Sequence, residues 1–268
     1  MIKSTFFIIV LVLSAMILHA QNKKFTLRGE IKGMTSGSLF FGYTDNNEKY
    51  LKKTIPVEHG KFKLEGIISE PTNVLLCLDS TINRMDDPNF TDFWIEATDM
   101  HLEVTLNAFK EFKLSGSKTN DEEQELNRLK APIEKEMQPI SDAYQAEKDH
   151  AKAAAIREQF EPYYDRMNVL TDEFIKTHPD SYLSPWLMLF RLSSLPVEQV
   201  ETVYNNWTDR VKASRTGKEI AEEITKLKQG SPGSPAIMFK RKDINDKVFN
   251  LEELKGKKYV ILDFWASW

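Results

Sequence analysis

The first part of the chain alternates apolar and polar residues over short segments. From Phe25 to Ile31 every second residue is apolar or glycine, the period-two pattern of a strand with one buried face. The pair His59-Gly60 separates two such segments and is a hairpin signal. The pattern predicts eight strands, at 25–31, 38–44, 50–57, 61–65, 73–78, 93–97, 101–106 and 111–114. Short strands at this spacing predict a β-sandwich-like or barrel-like domain over residues 25–116.

Beyond Gly116 the apolar residues recur every three or four positions, which indicates amphipathic helices. One stripe comprises Leu126, Leu129, Ile133, Met137, Ile140 and Tyr144, and a second comprises Ile156, Phe160, Tyr163, Met167, Leu170 and Phe174. We expect two long helices packed on each other or on the β domain. Prolines 132, 139 and 162 should kink or segment them, because an interior proline removes a hydrogen bond.

Shorter helices are predicted to start at Ser184-Pro185, at Pro196 and at Thr216, so that a helical region occupies residues 117–229. Only Gly, Ser and Pro occupy residues 230–235, which is the composition of a linker. The sequence therefore places a domain boundary there, before a last segment at 236–268.

The N-terminus has the composition of a signal for export. Lys3 precedes an apolar run at 6–18, which is too short to span a bilayer, and Ala20 offers a small residue for cleavage. We expect a signal peptide over residues 1–20, cleaved near Ala20, and a mature protein in the periplasm or cell envelope. An uncleaved N-terminal anchor is the alternative.

Charge and motif content narrow the function. The formal net charge of −4 and the lack of a basic, aromatic cluster give no indication of a nucleic-acid partner. The five histidines are scattered, and no phosphate loop is present, so we expect neither a metal nor a cofactor. The single cysteine, Cys77, lies in an apolar run, which favours a buried structural thiol over a reactive one.

The sequence phrases that suggest a chemical reaction all lie in residues 236–268. This segment begins A-I-M-F, continues with D-I-N-D-K at 243–247 and L-K-G-K at 254–257, and ends Y-V-I-L-D-F-W-A-S-W. In order and spacing these phrases resemble the entry to thioredoxin-like thiol-disulfide oxidoreductase domains of the TlpA and AhpC/TSA type. In those domains the apolar strand leads directly into C-x-x-C. Asp246 stands where the family's hairpin often has glycine.

The order of the whole chain resembles an arrangement found in many Bacteroidetes proteins. There an uncharacterised N-terminal β domain precedes an envelope thiol-disulfide oxidoreductase. The expected fold is therefore α+β and multidomain: a β-sandwich-like domain, a helical middle region, and the first strands of an incomplete thioredoxin-like α/β domain.

The resemblance also implies roles for residues of the last segment. Asp263 would be a buried carboxyl beneath the cysteines that helps to move the proton of the resolving thiol, with burial raising its pKa. An exposed charge at a strand edge is the alternative. Trp265 and Trp268 would pack around the active-site turn, although a plain core role is equally open for Trp265. The strand itself would span 260–265, buried between helices.

The implied partners are protein disulfide or thiol substrates and a membrane thiol reductant, without a cofactor. Because Cys77 is the only cysteine, these 268 residues hold neither cysteine of the motif. We expect a truncated family member that cannot cycle a disulfide, and whether it is an enzyme stays open. The alternative function is a non-catalytic binding or scaffold module in the envelope, formed by the β-rich and helical domains.

Overall fold

The computed structural model describes residues 23–78, 86–230, 233–256 and 259–263. The N-terminal part contains all eight predicted strands, most of them longer than the sequence pattern indicates. They are β1 (Lys23–Lys32), β2 (Ser36–Thr44), β3 (Tyr50–Glu58), β4 (Lys61–Ile68), β5 (Thr72–Cys77), β6 (Phe90–Ile95), β7 (Asp99–Thr105) and β8 (Lys113–Ser115). A short 3-10 helix at Phe109–Glu111 precedes β8, where the sequence predicted the start of the last strand.

The eight strands form one sheet in the order β6-β5-β2-β3-β4-β1-β7-β8. Its pairings are antiparallel except for β1 with β7, which run parallel. The middle of the sheet is weakly joined, because β3 and β4 pair at Glu58 and Lys61 alone. The sheet curls there, so that its two four-stranded halves face each other. A curled sheet therefore replaces the separate sheets of the predicted sandwich.

Two features of the β3–β4 hairpin explain why its ladder is short. His59 and Gly60 both have positive φ angles, 52° and 75°, as a tight two-residue hairpin turn requires. Two residues before Glu58 stands Pro56, which has no N–H to donate to the next rung. Beyond it the seam is bridged by a side chain, because Lys53 Nζ donates to the Glu65 carbonyl oxygen at 3.0 Å.

The core of the domain lies between the facing halves. The rings of Phe41 and Phe62, one from each half, have centroids 5.9 Å apart, and Phe25 meets Tyr43 edge-on at 5.8 Å. Because side chains alternate along each strand, the opposite residues point outward. The outer face of the β6-β5-β2 half receives the helices.

Seven helices follow the sheet among the described residues. They are α1 (Lys118–Ala146), α2 (His150–Glu158), α3 (Glu161–Thr177), α4 (Leu183–Arg191), α5 (Val197–Asn206), α6 (Asp209–Lys212) and α7 (Arg215–Gly230). The predicted α+β composition, with a β domain before a helical region, is confirmed.

Pro162 stands at a break between two helices, as predicted, whereas Pro132 and Pro139 do not divide theirs. Helix α1 runs unbroken through Pro132 and Pro139, since each removes one donor while the turns on either side keep theirs. Pro162 lies in the first turn of α3, where its missing N–H costs nothing. The second predicted stripe, 156–174, is divided between α2 and α3 at Gln159 and Phe160.

The helical layer is attached to the sheet by an apolar cluster and by a glutamate of the sheet that caps the first helix. Trp94 projects from β6 and packs with Leu126, Phe174 and Leu183 of the helices. The Glu96 carboxylate accepts the backbone N–H of Thr119 in the first turn of α1 at 2.6 Å. A second cluster holds α3 to α7 together and comprises Ile175, Met188, Val200, Trp207, Val211, Ile220 and Ile224.

Residues 240–250 form a small hairpin that is not part of the large sheet. Strands β9 (Lys240–Lys242) and β10 (Val248–Asn250) pair antiparallel and lead into a 3-10 turn at Leu251–Leu254. Residues 259–263 have no regular structure and are exposed, so their predicted strand is absent from this part of the chain. None of the helices described here is long and apolar enough to cross a membrane. The predicted signal peptide, residues 1–20, lies outside the described residues.

Candidate functional site: the interdomain cleft

A cleft separates the outer face of the sheet from part of the helical layer. It contains two adjoining cavities, an inner one of about 270 Å³ and an outer one of about 340 Å³. Both are lined by Glu70, Thr72, Tyr182, Ser214 and Arg215. The inner cavity is also lined by Gly42, Thr44, Tyr50, Pro71, Asn73, Leu75, Trp94, Trp186 and Thr216, and the outer one by Asp45, Glu48, Ser69, Arg210, Ala213 and Lys218. We call this region the interdomain cleft.

Aromatic side chains form much of the inner cavity. The rings of Trp94 and Trp186 meet edge-to-face, with centroids 5.6 Å apart and an interplanar angle of 87°. Tyr50 is half-exposed, and its hydroxyl lies over Gly42, where a Cβ atom would come within 2.1 Å of it. The glycine in β2 is therefore what allows Tyr50 to lie against the sheet. The resulting wall is apolar with hydroxyl groups at its edge.

Glu70 joins the two sides of the cleft. It lies between β4 and β5, and its carboxylate accepts the backbone N–H of Arg215 at the start of α7, with N–O distances of 3.1 and 3.2 Å. Ser214 caps the same helix locally, since its Oγ accepts the N–H of Gly217 at 3.0 Å. A carboxylate and a hydroxyl thus satisfy two of the N–H groups that a helix start leaves without partners.

The position of Glu70 has an electrostatic consequence. Burial raises the pKa of its carboxyl, because a charge is less stable away from water. The Arg215 N–H and the positive charges of Arg215 and Lys218 act in the opposite direction, and burial is the larger effect. Glu70 is therefore easier to protonate than an ordinary glutamate on the surface.

On the helical side, Arg210 and Tyr182 form a fixed pair. The guanidinium carbon of Arg210 lies 4.6 Å from the centre of the Tyr182 ring, within the range of a cation–π contact. The same guanidinium forms an ion pair with Asp180 at 2.8 Å. The hydrogen bond from Arg210 lowers the pKa of Asp180, while burial raises the pKa of the Tyr182 hydroxyl.

The charges of the outer cavity are balanced. Three carboxylates, Asp45, Glu48 and Glu70, face three basic residues, Arg210, Arg215 and Lys218. Asp45 is occupied by its own turn, since its Oδ1 accepts the N–H groups of Asn47 and Lys49. The cleft thus presents both signs of charge beside a cavity that is partly aromatic.

A second partly buried carboxylate lies behind the cleft. Burial raises the pKa of Glu123 on α1, because the carboxylate is less stable away from water. On the same helix, burial lowers the pKa of Lys130. Neither group lines either cavity.

Neither Asp263 nor Cys77, both singled out from the sequence, lines this cleft. Asp263 is exposed and lies outside any strand, so the burial expected for it is absent in this segment. Its role as a proton carrier stays a prediction. Trp265 and Trp268 lie outside the described residues. Cys77 is half-buried in β5, because it points to the outer face while Val74 and Leu76 point to the core.

Sequence reasoning missed the cleft because its residues come from distant parts of the chain. The start of α7 was predicted at Thr216, whereas the helix begins at Arg215 with Ser214 as its capping side chain. Glu70 gives no local signal, because its partner is 145 positions away. Within the residues that the structure describes, no group of three or more His, Cys, Asp or Glu side chains could hold a metal ion.

Comparison with known proteins gives one match. Residues 25–123 match the model of a family described as a domain of unknown function (DUF4369), which covers the curled sheet and the first turn of α1. No curated protein and no solved structure matches the chain. The N-terminal β domain is thus similar to that family over less than half of the chain.

Proposed function

We propose that this protein is an envelope thiol-disulfide oxidoreductase by descent, with residues 23–230 as a domain placed before a thioredoxin-like one. The observation that carries the proposal is the ordered match of residues 236–268 to the entry of such domains. The match of residues 25–123 to a family of unknown function agrees with an uncharacterised β domain at the start of the arrangement.

The hairpin at 240–250 supports this proposal. The Asp243 side chain accepts the N–H groups of Asn245 and Lys247, at 2.8 and 2.9 Å, and closes the turn. Asp246 has a φ angle of 61°, in the left-handed region that glycine adopts most readily. The position where the sequence departs from the family's glycine is thus one where glycine is sterically favoured, and aspartate is among the residues that tolerate it.

In the proposed reaction a C-x-x-C pair following this segment would exchange disulfides with protein substrates. One thiolate would attack the substrate disulfide, and the second thiol would resolve the mixed disulfide that forms. Asp263 would accept or return the proton of the resolving thiol. A membrane thiol reductant would restore the pair, and export through the signal peptide would place the protein in the periplasm or envelope.

The reading frame of the gene tests the proposal. We expect the codons after Trp268 to encode C-x-x-C, and the whole gene product to reduce insulin disulfides. Substitution of both motif cysteines by serine should abolish this reduction, and Asp263→Asn should slow it. If the codons after Trp268 encode no C-x-x-C pair, this gene does not encode a thiol-disulfide oxidoreductase of the proposed kind. N-terminal sequencing of protein from the periplasmic fraction tests export, with Gln21 as the expected first residue.

A second proposed function is a non-catalytic binding or scaffold module formed by the β-rich and helical regions. It is favoured by the way these regions are joined, since Glu96 and Glu70 of the sheet cap the first and last helices across the interface. Hydrogen exchange on the 268-residue chain tests it. We expect amides of β1 and of α7 to exchange with similar protection, whereas a helical region that opens independently would contradict a rigid module.

A further inference from the structure

We propose that the interdomain cleft binds an extended peptide segment that inserts one large apolar side chain into the inner cavity. The inference rests on the binding-module function proposed above and names its ligand. It is carried by the size of the inner cavity, by the aromatic side chains that line it and by the charges around its mouth.

The inner cavity is large enough to take one large side chain. Pockets for drug-sized ligands have volumes of about 300–1,000 Å³, and the inner cavity has about 270 Å³. The apolar part of its lining comes from Tyr50, Leu75 and Trp186, with a small contribution from the largely buried Trp94. Polar side chains, Thr72 and Asn73 among them, complete the lining. Aromatic and aliphatic walls of this kind reward burial of an apolar group, and large aromatic anchors dominate the energy of many interfaces.

The charges at the mouth of the cavity suit a peptide. Three acidic and three basic residues surround the outer cavity, so its formal charge is balanced. A polypeptide carries dipolar amide groups and side chains of both signs. Arg215 and Lys218 are positioned to pair with its acidic groups, whereas Asp45 and Arg210 already have partners within the protein. A nucleic acid would instead require a clear excess of positive charge. Asn73 and Thr216 add hydrogen-bonding groups at the edge of the inner cavity.

The aromatic geometry disfavours an oligosaccharide, the other ligand that aromatic sites commonly bind. A sugar ring packs on an open aromatic face, but Trp94 is only 4% exposed and meets Trp186 edge-on. Tyr50 is 50% exposed, yet its ring lies against Gly42. The cleft therefore offers a narrow apolar hole rather than a flat stacking platform.

Calorimetric titration of the 268-residue chain tests the inference. The probes are acetylated and amidated heptapeptides with a central phenylalanine flanked by one lysine and one glutamate, in both orders. Matched peptides carry glycine at the centre, and maltoheptaose represents a neutral sugar. We expect the phenylalanine peptides to bind at least tenfold more tightly than the glycine peptides, and maltoheptaose to give no heat of binding.

Two matched variants locate the binding. Leu75→Phe fills the inner cavity and should weaken binding of the phenylalanine peptides at least tenfold, whereas the same change at exposed Leu129 on α1 should leave it unchanged. If Leu75→Phe does not fold, Gly42→Ala serves instead. Its new methyl group would displace only the far end of the Tyr50 side chain and should weaken binding severalfold.

Equal binding of phenylalanine and glycine peptides, binding of maltoheptaose alone, or an unaffected Leu75→Phe variant would overturn the inference. The absence of peptide binding from a chain whose sheet and helices show matching exchange protection would overturn it while leaving the binding module intact. A helical region that opens independently would instead count against the module itself.

Discussion

The carboxylate of Glu70 accepts the backbone N–H of Arg215 across 145 positions of the chain. Glu96 and Thr119 repeat this relationship at the first helix, with a 2.6 Å contact. In both cases a glutamate beside a strand supplies the cap that the start of the helix needs, and in doing so it fixes that helix on the sheet. The attachment of the helical layer thus depends on polar contacts as well as on the apolar cluster around Trp94.

Removal of the Glu70 cap should weaken the attachment of α7. Glu70→Ala should lower the free energy of unfolding by about 1 kcal/mol, the usual cost of a lost N-terminal cap. Glu70→Gln keeps an oxygen that can accept the Arg215 N–H and should be at least as stable as the natural chain at pH 7. Urea unfolding followed by circular dichroism measures both variants. Glu158→Ala, on the exposed surface of α2, is the control. Equal loss in all three variants would show that the cap contributes nothing.

The same carboxyl should make stability depend on pH. Burial raises the pKa of Glu70 and of Glu123 above the ordinary 4.5, so the folded chain binds these protons more tightly than the unfolded chain. Stability should therefore fall as pH rises from about 4.5 through the raised pKa values and then level off. Asp180, whose pKa is lowered, contributes the opposite slope at lower pH, since its stabilisation is lost as pH falls.

Urea titrations at several pH values between 4 and 7 check this prediction. The Glu70→Gln variant lacks the titrating group, so its stability relative to the natural chain should increase as pH rises. Glu123→Gln should behave in the same way. A constant difference between variant and natural chain over this range would show that the burial of Glu70 does not shift its proton affinity in the folded state.

Gly217 is required by a close approach between α7 and the end of α6. A Cβ atom there would lie 2.2 Å from the Val211 carbonyl oxygen, which is backbone and cannot swing aside. Helix propensity alone predicts that Gly217→Ala stabilises the chain by about 1 kcal/mol. The contact predicts the reverse, a loss of about 1–3 kcal/mol from overpacking. Thermal unfolding decides between them, and a raised melting temperature would contradict the close approach.

The sequence pattern predicted those elements whose signals are local. The alternation from Phe25 to Ile31 and the turn at His59-Gly60 depend on residues near each other in the chain, and both were predicted correctly. The helical stripe that begins at Leu126 was likewise found, because its period repeats within one helix. Local periodicity does not report whether a proline divides a helix or only bends it, so the sequence left both outcomes open for Pro132 and Pro139 in α1.

The curl of the sheet and the interdomain cleft could not be predicted in this way. The curl lies where β3 and β4 pair at Glu58 and Lys61 alone, and a weak pairing of this kind is visible only once the strands are placed side by side. The cleft is assembled from side chains on β2, β5, α4 and the start of α7, and no local pattern links Glu70 to Arg215. The predicted chemistry at Asp263 came from resemblance, and the structure neither brings that residue to the cleft nor buries it.

The left-handed residue of the last hairpin gives a final prediction. Asp246 has a φ angle of 61°, and its carboxylate pairs with Lys242 at 3.1 Å on an exposed surface. Exposed ion pairs of this kind contribute about 0–1 kcal/mol, whereas glycine adopts this backbone conformation without steric cost. Asp246→Gly should therefore leave the hairpin as protected from hydrogen exchange as before, or more so. Asp246→Val should reduce protection, because a β-branched residue is strained at positive φ.

The amide of Asp243, which donates to the Lys247 carbonyl oxygen at 2.8 Å, is the reporter. Faster exchange in the glycine variant than in the natural chain would show that the aspartate side chain, rather than its backbone conformation, determines the turn.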